Sequence, residues 1–392
     1  MSVVIVFSHL RWNFVHQRPQ HLLSRLARFY PVIFLEEPVF DAEHTFLERV
    51  TPVPNVMVCR PHTPIAATGF HDEQLPLLRE LIRQLMMDFN DHIVWFTTPM
   101  AVPLLPEIHP RLVIYDCMDM PAARKSAPQP LREYESTLFT VADLVFAAGL
   151  GLYRTQRAHH PHVHYFPDSV DGSHFLQALD RTNAHPAHRS IAGPRLGYYG
   201  VIDERVDAHL IAHLADAHPQ WQVVLAGPSG MRDAATLPHR ANIHYLGYQP
   251  YSALPRLLAG WDVCLLPFVA EEATQFVSTT RILEYMAAEL PIVSTHNQDV
   301  VDLYDGIVSS AETPAAFVSA CEAALLASAG EHAARAAKMR AVVSSTSWDA
   351  TVASMHALIE QAARNSGNRV SPRLRIRDLA VQSDFQCKSI SM

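Results

Sequence analysis

Short apolar runs alternate with longer amphipathic segments along this chain, and that alternation constrains its fold most strongly. Each run has the length of one β-strand, whereas segments such as 20–29 and 73–87 carry apolar residues at helical spacing. Regular alternation of strand and helix predicts βαβ units, and therefore an α/β fold with parallel sheets. The expected strands are 3–7, 32–35, 56–59, 93–97, 112–116, 144–147, 163–166, 195–199, 222–226, 243–246, 263–266, 291–294 and 307–308.

The runs fall into two series of similar size, which predicts two domains. Between the series, residues 177–194 contain Asn, His, Pro and Gly but few large apolar residues, a composition typical of an interdomain linker. We expect an N-terminal domain over 1–180 and a second domain over 195–345. A further helix over 346–364 and a polar, basic, flexible tail over 365–392 complete this expectation.

Composition narrows the class of protein. The net charge of −8 argues against a nucleic-acid partner. It combines a tail of +3 with a body of −11, and contact of this tail with an anionic membrane surface is the alternative to a flexible tail. Neither a signal peptide nor a membrane-spanning run is expected. Five dispersed cysteines without a CxxC pair indicate reduced thiols. The expected location is the cytoplasm, with peripheral contact at the inner membrane face as an alternative.

A candidate phosphate site lies where a strand ends at Pro267 and a polar loop leads into a helix near Thr280. Ser278 and Thr280 are suited to the start of this helix, whose free N–H groups attract phosphate. Arg281 would add a forked cation suited to a diphosphate. Glu284, one turn later, could accept hydrogen bonds from two vicinal hydroxyls. A nucleotide sugar offers both a diphosphate and a ribose.

Several motifs in combination resemble a known family. They are Ser-His-Leu-Arg-Trp-Asn-Phe at 8–14, Gln-Arg-Pro-Gln-His-Leu-Leu at 17–23, Tyr-Asp-Cys-Met-Asp at 115–119, Phe-Pro-Asp-Ser-Val-Asp at 166–171 and Gly-Tyr-Tyr-Gly-Val-Ile-Asp-Glu-Arg at 197–205. The chain is similar to GT-B glycosyltransferases, of the bacterial branch with teichuronic-acid and exopolysaccharide transferases. The resemblance implies two Rossmann-like domains facing a cleft, with a C-terminal helix that crosses back to the N-terminal domain.

The resemblance also implies a nucleotide-sugar donor bound by the second domain. Glu284 matches the family glutamate that binds the donor ribose. The residues expected to bind the donor are Glu284, Arg281, Arg205, Thr280, Ser278 and Gly200. The chain departs from the family pattern in three places. The helix opens with Ser-Thr-Thr-Arg instead of Ser-Pro-Thr-Lys, Glu289-Leu290 replaces the usual glycine before Pro291, and Phe276 stands where many relatives have a second glutamate.

The N-terminal domain is expected to bind the acceptor, a glycan or a lipid-linked glycan. Candidate catalytic residues are Asp116, Asp119 and His9, since two of them follow a strand at the sheet edge where ligands bind in α/β folds. Candidate acceptor-binding residues are Arg11, Gln17 and Arg18. Structural roles stay open for each: both aspartates could cap a helix or bind Arg11 or Arg18, and His9 could make a structural hydrogen bond.

The function expected from these features is transfer of a sugar from a nucleotide-diphosphate sugar to a hydroxyl acceptor, in bacterial polysaccharide or glycan assembly. No cofactor and no metal are expected, because the clustered histidines at 159–164 lack ligand spacing and Gly149-Leu150-Gly151 is only half of a dinucleotide motif. Two alternatives remain: a GT-B nucleotide-sugar epimerase, and a degenerate, non-catalytic partner subunit.

Overall fold

A computed structural model describes the chain as two compact units. The first unit joins Met1–Pro167 to the chain from Asp349 onward, and the second comprises Asp168–Trp348. Each is built on a β-sheet with helices packed on it, and the strands are parallel except for one in the first unit, so the α/β class predicted from the alternation is confirmed. The described residues are 2–119, 128–229, 237–269 and 280–365.

The first unit is centred on a sheet with the order β3-β5-β2-β1-β6-β7-β8-β9, in which β4 pairs antiparallel with β5. Its strands are β1 (Val3–Ser8), β2 (Val32–Glu36), β3 (Val39–Phe40), β4 (Phe46–Val53), β5 (Val56–Thr63), β6 (His92–Phe96), β7 (Leu112–Cys117), β8 (Leu144–Ala147) and β9 (Val163–Tyr165). Its first four helices are α1 (Arg18–Leu26), α2 (Leu75–Met86), α3 (Gln129–Val141) and α4 (Leu150–Gln156). The central strands β1, β2, β6 and β7 are buried along their whole length, as strands covered by helices on both faces must be.

The second unit contains the sheet β12-β11-β10-β13-β14-β15, all parallel. Its strands are β10 (Arg195–Tyr199), β11 (Gln222–Ala226), β12 (Ile243–Tyr245), β13 (Val263–Leu266), β14 (Ile292–Thr295) and β15 (Val308–Ala311). Its helices are α5 (Gly172–Phe175), α6 (Ala208–Ala217), α7 (Leu254–Leu258), α8 (Thr280–Ala287), α9 (Gln298–Tyr304), α10 (Pro314–Leu326) and α11 (Ala329–Ser344).

Alternate residues of β10 face opposite sides of this sheet. Tyr199 joins the core that contains residues of α7, α8 and α9, whereas Tyr198 joins the core beneath α6 and α10. This follows from the two-residue period of a strand. The register therefore determines which of two adjacent tyrosines faces α8, a point that matters for the candidate site.

The segment 177–194 differs from the linker that its composition predicts. It forms three short 3-10 helices, Leu176–Leu179, Arg181–Asn183 and Pro186–Ser190, that pack on the second unit. Arg181 donates to the carbonyl oxygen of Trp261 at 3.0 Å, and His188 Nε2 lies 3.1 Å from the carbonyl oxygen of Leu257. Polar residues here satisfy backbone groups of the second unit. The division between units falls at Asp168 instead of within 180–195.

The helix α12 (Trp348–Asn365) follows the second unit in sequence and packs on the first. Its apolar stripe of Trp348, Val352, Met355, Ile359 and Ala363 is buried. Arg25 and Arg28 both pair with Asp349, at 3.2 and 2.5 Å. The helix predicted over 346–364 thus exists within two residues of its expected bounds, and it contacts the N-terminal unit as expected. The predicted tail beyond residue 365 lies outside the described residues.

Candidate functional site

Two glycines shape the carboxyl edge of the second sheet. Gly200 follows β10 with φ of +140°, and Gly227 follows β11 with φ of +150°. The Gly200 N–H donates to the carbonyl oxygen of Ala226 at 2.9 Å, and a Cβ on Gly227 would lie 1.8 Å from the Gly200 oxygen. Only glycine fits both positions, because φ and space exclude a side chain. The two loops can therefore cross closely where ligands bind in open α/β sheets.

Arg281, in the first turn of α8, lies directly over this crossing. Its guanidinium carbon is 5.3 Å from the centre of the Tyr198 ring and 5.6 Å from that of Phe268. A Cβ on Gly200 would lie 2.8 Å from Arg281 Nε. Arg281 Nη1 is buried, and within the described parts of the chain it has no hydrogen-bond partner. Two aromatic faces thus hold a cation with an N–H left for an anion.

Glu284 lies one turn further along α8 and is 4% exposed. The Tyr199 hydroxyl donates a short hydrogen bond to Glu284 Oε2. Burial raises the pKa of Glu284 to about 8, against the opposing effects of the Tyr199 hydrogen bond and the Arg281 charge, while the nearby Asp168 charge raises it further. A buried carboxyl beside an under-coordinated guanidinium is an arrangement suited to a polar ligand with both anionic and hydroxyl groups.

Arg205 is held by its neighbour Asp203 in the loop after β10. Its Nε lies 3.0 Å from both carboxylate oxygens of Asp203, and its Nη2 lies 2.5 Å from Oδ2. Burial alone raises the pKa of Asp203, but the hydrogen bonds and charge of Arg205 outweigh burial and hold that pKa below its usual value. The Arg205 side chain remains 39% exposed.

Of the two remaining donor-site candidates, the structure describes one, at the start of α8. Thr280 is the first residue of the helix and is 8% exposed. Ser278 lies outside the described residues. The second unit therefore brings together Gly200, Arg281 and Glu284, with Thr280 beside them in sequence and Arg205 in the loop that begins at Gly200.

In the first unit, two predicted site residues bind each other. Arg18 Nη2 lies 3.1 Å from Asp116 Oδ1, and both side chains are almost fully buried. Arg18 also donates to the carbonyl oxygen of Phe166 at 2.9 Å. Of the roles left open by the sequence, the structure places Asp116 in the one in which it binds Arg18. Its role as general base, and the binding of an acceptor by Arg18, stay predictions.

The other two acceptor candidates also have structural contacts. Arg11 pairs with the fully buried Glu36 at 3.2 Å and donates to the carbonyl oxygen of Glu37. The Gln17 N–H donates to Gln20 Oε1 at 3.1 Å, which satisfies a backbone donor at the start of α1. These contacts position the loop between β1 and α1, and binding of an acceptor here stays a prediction.

The last two catalytic candidates are more open. His9 is exposed in the loop after β1, and Asp119 is half-buried two residues after β7. The Asp119 carbonyl oxygen accepts from Cys117 Sγ at 3.3 Å. Asp119 borders residues 120–127, which lie outside the described part of the chain. Catalytic roles for both stay predictions.

Sequence reasoning did not single out Tyr198, Tyr199 and Phe268, which contact Arg281 or Glu284. It also did not single out Asp168, whose charge raises the pKa of Glu284, or Asp203, which binds Arg205. The two tyrosines form part of the motif at 197–205, and their adjacency in a strand indicates that they face opposite sides. The sequence therefore predicts that the two tyrosines lie on opposite faces of the sheet, but not that one contacts Arg281 and the other Glu284.

Two searches of the described residues concern other kinds of site. Residues 2–119, 128–229, 237–269 and 280–365 contain no group of three or more His, Cys, Asp and Glu side chains that could hold a metal ion. Over the same ranges, no helix combines the length and the hydropathy needed to cross a bilayer.

Known proteins resemble the chain at three levels. Residues 193–327 match the model of the family described as Glycosyl transferases group 1. A protein of Bacillus subtilis strain 168, named TuaH and described as a teichuronic acid biosynthesis glycosyltransferase, is 24% identical over 256 residues. That alignment covers 59% of this chain and 63% of the relative, so the chain matches less than two thirds of TuaH.

Solved structures show the fold across nearly the whole chain. Sucrose-phosphate synthase of Thermosynechococcus elongatus has a TM-score of 0.72 at 14% identity, covering 92% of this chain and 99% of its own. HepE of Anabaena, solved with UDP and glucose, has a TM-score of 0.66 at 15% identity, covering 91% and 99%. A UDP-forming trehalose-phosphate synthase of Burkholderia xenovorans has a TM-score of 0.66 at 14% identity, covering 94% and 100%.

The fold and the residues at the sheet edge define a class. The chain has the GT-B fold, with two parallel α/β units. Its residues 193–327 match the model of the glycosyl transferases group 1 family. The resemblance to GT-B glycosyltransferases predicted from the sequence motifs is confirmed.

Proposed function

We propose that this protein transfers a sugar from a nucleotide-diphosphate sugar to a hydroxyl group of an acceptor, in the assembly of a bacterial polysaccharide or glycan. The observation that carries the proposal is the Arg281 guanidinium, which is held between two aromatic rings with a buried N–H unpartnered within the described residues, one helical turn before the buried Glu284. The family match at 193–327 and the similarity to TuaH support the same reaction class.

Charge develops on the leaving diphosphate as the donor bond breaks. Arg281 can donate to a phosphate oxygen through Nη1 and so stabilise this charge, and it needs no reorganisation because the rings already hold it. Arg205 and the N-terminus of α8 add positive potential. Glu284 accepts hydrogen bonds from the ribose and binds the donor without moving a proton. The mechanism uses no metal and no cofactor.

The acceptor is proposed to be a glycan or a lipid-linked glycan that binds the first unit. His9 and Asp119, which are less buried than Arg18 and Asp116, are the residues that we propose contact an acceptor hydroxyl. A lipid-linked acceptor would place a cytoplasmic enzyme at the inner face of the membrane, in peripheral contact.

A thermal-shift screen of UDP-, GDP-, ADP- and dTDP-sugars tests the proposal, because a ligand that binds the folded state raises the melting temperature. We expect the sugars of one nucleotide base to raise the melting temperature clearly. We also expect that sugar to be transferred or hydrolysed when acceptor extracts are added. Conversion of the donor without an acceptor would instead favour an epimerase. A protein that binds none of these compounds would contradict the proposal.

The variant Arg281→Lys tests the observation directly. A lysine keeps the charge but loses the flat fork that stacks on Tyr198 and Phe268, so the dissociation constant of the nucleoside diphosphate is expected to rise about tenfold or more. Calorimetric titration measures it. Arg189→Lys is the matched control, since Arg189 is an exposed arginine of the same unit. Equal affinities in the two variants would contradict the role of Arg281.

The variant Glu284→Ala tests the second residue. It is expected to fold and to bind the nucleoside diphosphate much more weakly than the wild type does.

A further inference from the structure

Tyr199 makes a contact that nucleotide binding alone does not require. Its ring is 5% exposed, at the carboxyl end of β10. It packs edge-on against the Tyr285 ring, with centroids 5.2 Å apart, and lies tilted against Trp261 at 6.1 Å. The Tyr199 backbone N–H also donates to the Tyr285 hydroxyl at 3.3 Å. The phenol is thus fixed on several sides, and its single proton points to Glu284 Oε2.

This hydrogen bond occupies one of the two carboxylate oxygens of Glu284. Among the described residues, the other oxygen, Oε1, accepts no hydrogen bond. A carboxylate held through one oxygen cannot rotate freely about its terminal torsion, which is broad in an unrestrained glutamate. The contact therefore fixes the direction in which Oε1 can accept.

The contact also affects the charge of Glu284. Three groups face this carboxyl: Tyr199 from β10, Arg281 from the same helix, and Asp168 from the segment before α5. Burial raises the pKa of Glu284 to about 8; the Tyr199 hydrogen bond and the Arg281 charge oppose that rise, and Asp168 adds to it. Without the hydrogen bond from the phenol, the pKa of Glu284 would therefore be higher still, and the carboxyl would stay neutral over a wider range of pH.

We propose that Tyr199 is a positioning residue that orients Glu284 and favours its ionised form, so that Oε1 accepts a hydrogen bond from a ribose hydroxyl of the donor. The inference rests on the proposed function, in which Glu284 binds the donor. Among the described residues, Tyr199 contacts Glu284 and the aromatic core formed with Tyr285 and Trp261.

The test compares Tyr199→Phe with Tyr285→Phe. Each removes one phenol oxygen from the same buried cluster and keeps the ring, but only the first removes the contact with Glu284. UDP is the probe, and GDP replaces it if the wild type does not bind UDP. At neutral pH the dissociation constant of Tyr199→Phe is expected to be about tenfold higher than that of Tyr285→Phe, because without the phenol hydrogen bond Glu284 is less well oriented and a smaller fraction of it is ionised. The difference is expected to narrow as the pH rises above about 8, because Glu284 then becomes increasingly ionised in both variants.

A second measurement separates positioning from packing. In the double variant Tyr199→Phe/Glu284→Gln, removal of the phenol is expected to cause no further loss of affinity beyond that of Glu284→Gln alone. Equal affinities of the two Tyr→Phe variants at every pH, or full additivity in the double variant, would overturn the inference and leave the proposed function standing. A wild type that binds neither nucleotide would overturn both. Melting temperatures of all variants establish that they fold.

Discussion

Gly200 is a single residue on which the geometry of the candidate site depends. Its φ of +140° disfavours any L side chain, and its missing Cβ makes room for the Arg281 guanidinium. Gly200→Ala is therefore expected to displace Arg281 and raise the dissociation constant of the nucleoside diphosphate about tenfold or more. Calorimetric titration checks this.

The matched control for that variant is Gly247→Ala. Gly247 also has a positive φ, +65°, but a Cβ there would meet nothing within 4 Å. Both variants are expected to lose stability, by about 1 kcal/mol or more, because both strain the backbone. Only Gly200→Ala should lose affinity, and a similar loss in both would show that strain alone weakens binding.

Glu284 should also leave a signature in stability. Its pKa rises from 4.5 to about 8 in the folded chain through burial, so the folded state binds a proton that the unfolded state releases. The free energy of unfolding should therefore fall as pH rises through this window, by a few kcal/mol at most. Glu284→Gln has no such proton. Urea unfolding of both proteins across this range should show wild type losing stability relative to the variant, and parallel curves would argue against a buried, proton-binding Glu284.

At this scale the sequence predicts some contacts and leaves others open. The helix spacing of Arg281 and Glu284 indicates a shared face, and the structure places both beside β10. The Tyr199–Glu284 contact joins residues 85 positions apart, and the Arg18–Asp116 pair joins residues 98 apart. Such pairs depend on strand register and helix placement, which no local pattern specifies. The sequence therefore places Asp116 at a sheet edge without showing that Arg18 meets it there.

At the scale of elements, α12 is held at its first turn by Asp349. Arg28 contributes most to lowering the pKa of Asp349, through a hydrogen bond, and Arg25 adds to it. The ion pairs of Asp349 with these arginines stabilise the folded state at any pH above the ordinary pKa of an aspartate. That stabilisation is lost as the pH falls through the lowered pKa of Asp349. Because Asp349 and Arg28 are both more than half exposed, Asp349→Asn is expected to cost only about 0.5 to 1 kcal/mol.

Urea unfolding at low and high salt measures that cost. The effect should shrink in high salt, because solvent ions screen exposed pairs. Asp88→Asn is the control, since Asp88 is an exposed aspartate of the same unit with no ion pair among the described residues. A cost that is the same at both salt concentrations would argue against an electrostatic origin.

Every strand expected from the apolar runs is present, whereas β3 and β4 were not predicted. β4 is exposed or half-exposed along its whole length, so it lacks the apolar run that marks a buried strand.

Glu289 shows a related limit of prediction from local sequence. It has a φ of +55° after α8, a position that favours glycine, and its carboxylate pairs with Arg340 of α11 at 2.7 Å. The ion pair with Arg340 thus accompanies a glutamate at a backbone position where local propensity predicts glycine.

At the scale of the whole molecule, the first unit is discontinuous in sequence because α12 supplies part of its core. Ile359 is fully buried there. Ile359→Ala is expected to lower the free energy of unfolding by about 2 to 4 kcal/mol. The affinity for a nucleoside diphosphate should change less than about twofold, because the candidate donor site lies in the second unit.

Urea unfolding and calorimetric titration of the same samples test that separation. Leu326→Ala is the control, since Leu326 is an aliphatic side chain that is 84% exposed. It should change neither quantity. A large loss of affinity in Ile359→Ala would show that the donor site depends on the packing of α12.

The two-domain α/β architecture follows from the pattern of runs because each strand–helix repeat must bury its apolar face against a neighbour. The boundary does not follow from composition. The composition of residues 177–194 predicts a linker because the segment has few large apolar residues, yet His188 is buried and bonded to the backbone of α7. Polar residues that satisfy buried backbone groups belong to a domain as firmly as apolar ones do.

The position of α12 also determines the order in which the molecule can be completed during synthesis. The ribosome makes the first 167 residues, then the whole second unit, and only afterwards the helix that covers the first unit. Until that helix emerges, the surface that will receive Met355 and Ile359 is uncovered, while the second unit already has every described strand and helix it needs. The nascent chain therefore carries an apolar surface for the time taken to translate about 180 residues, which is of the order of ten to forty seconds at typical rates of translation. Over that interval the unfinished first unit is the part of the chain that a chaperone would have to protect.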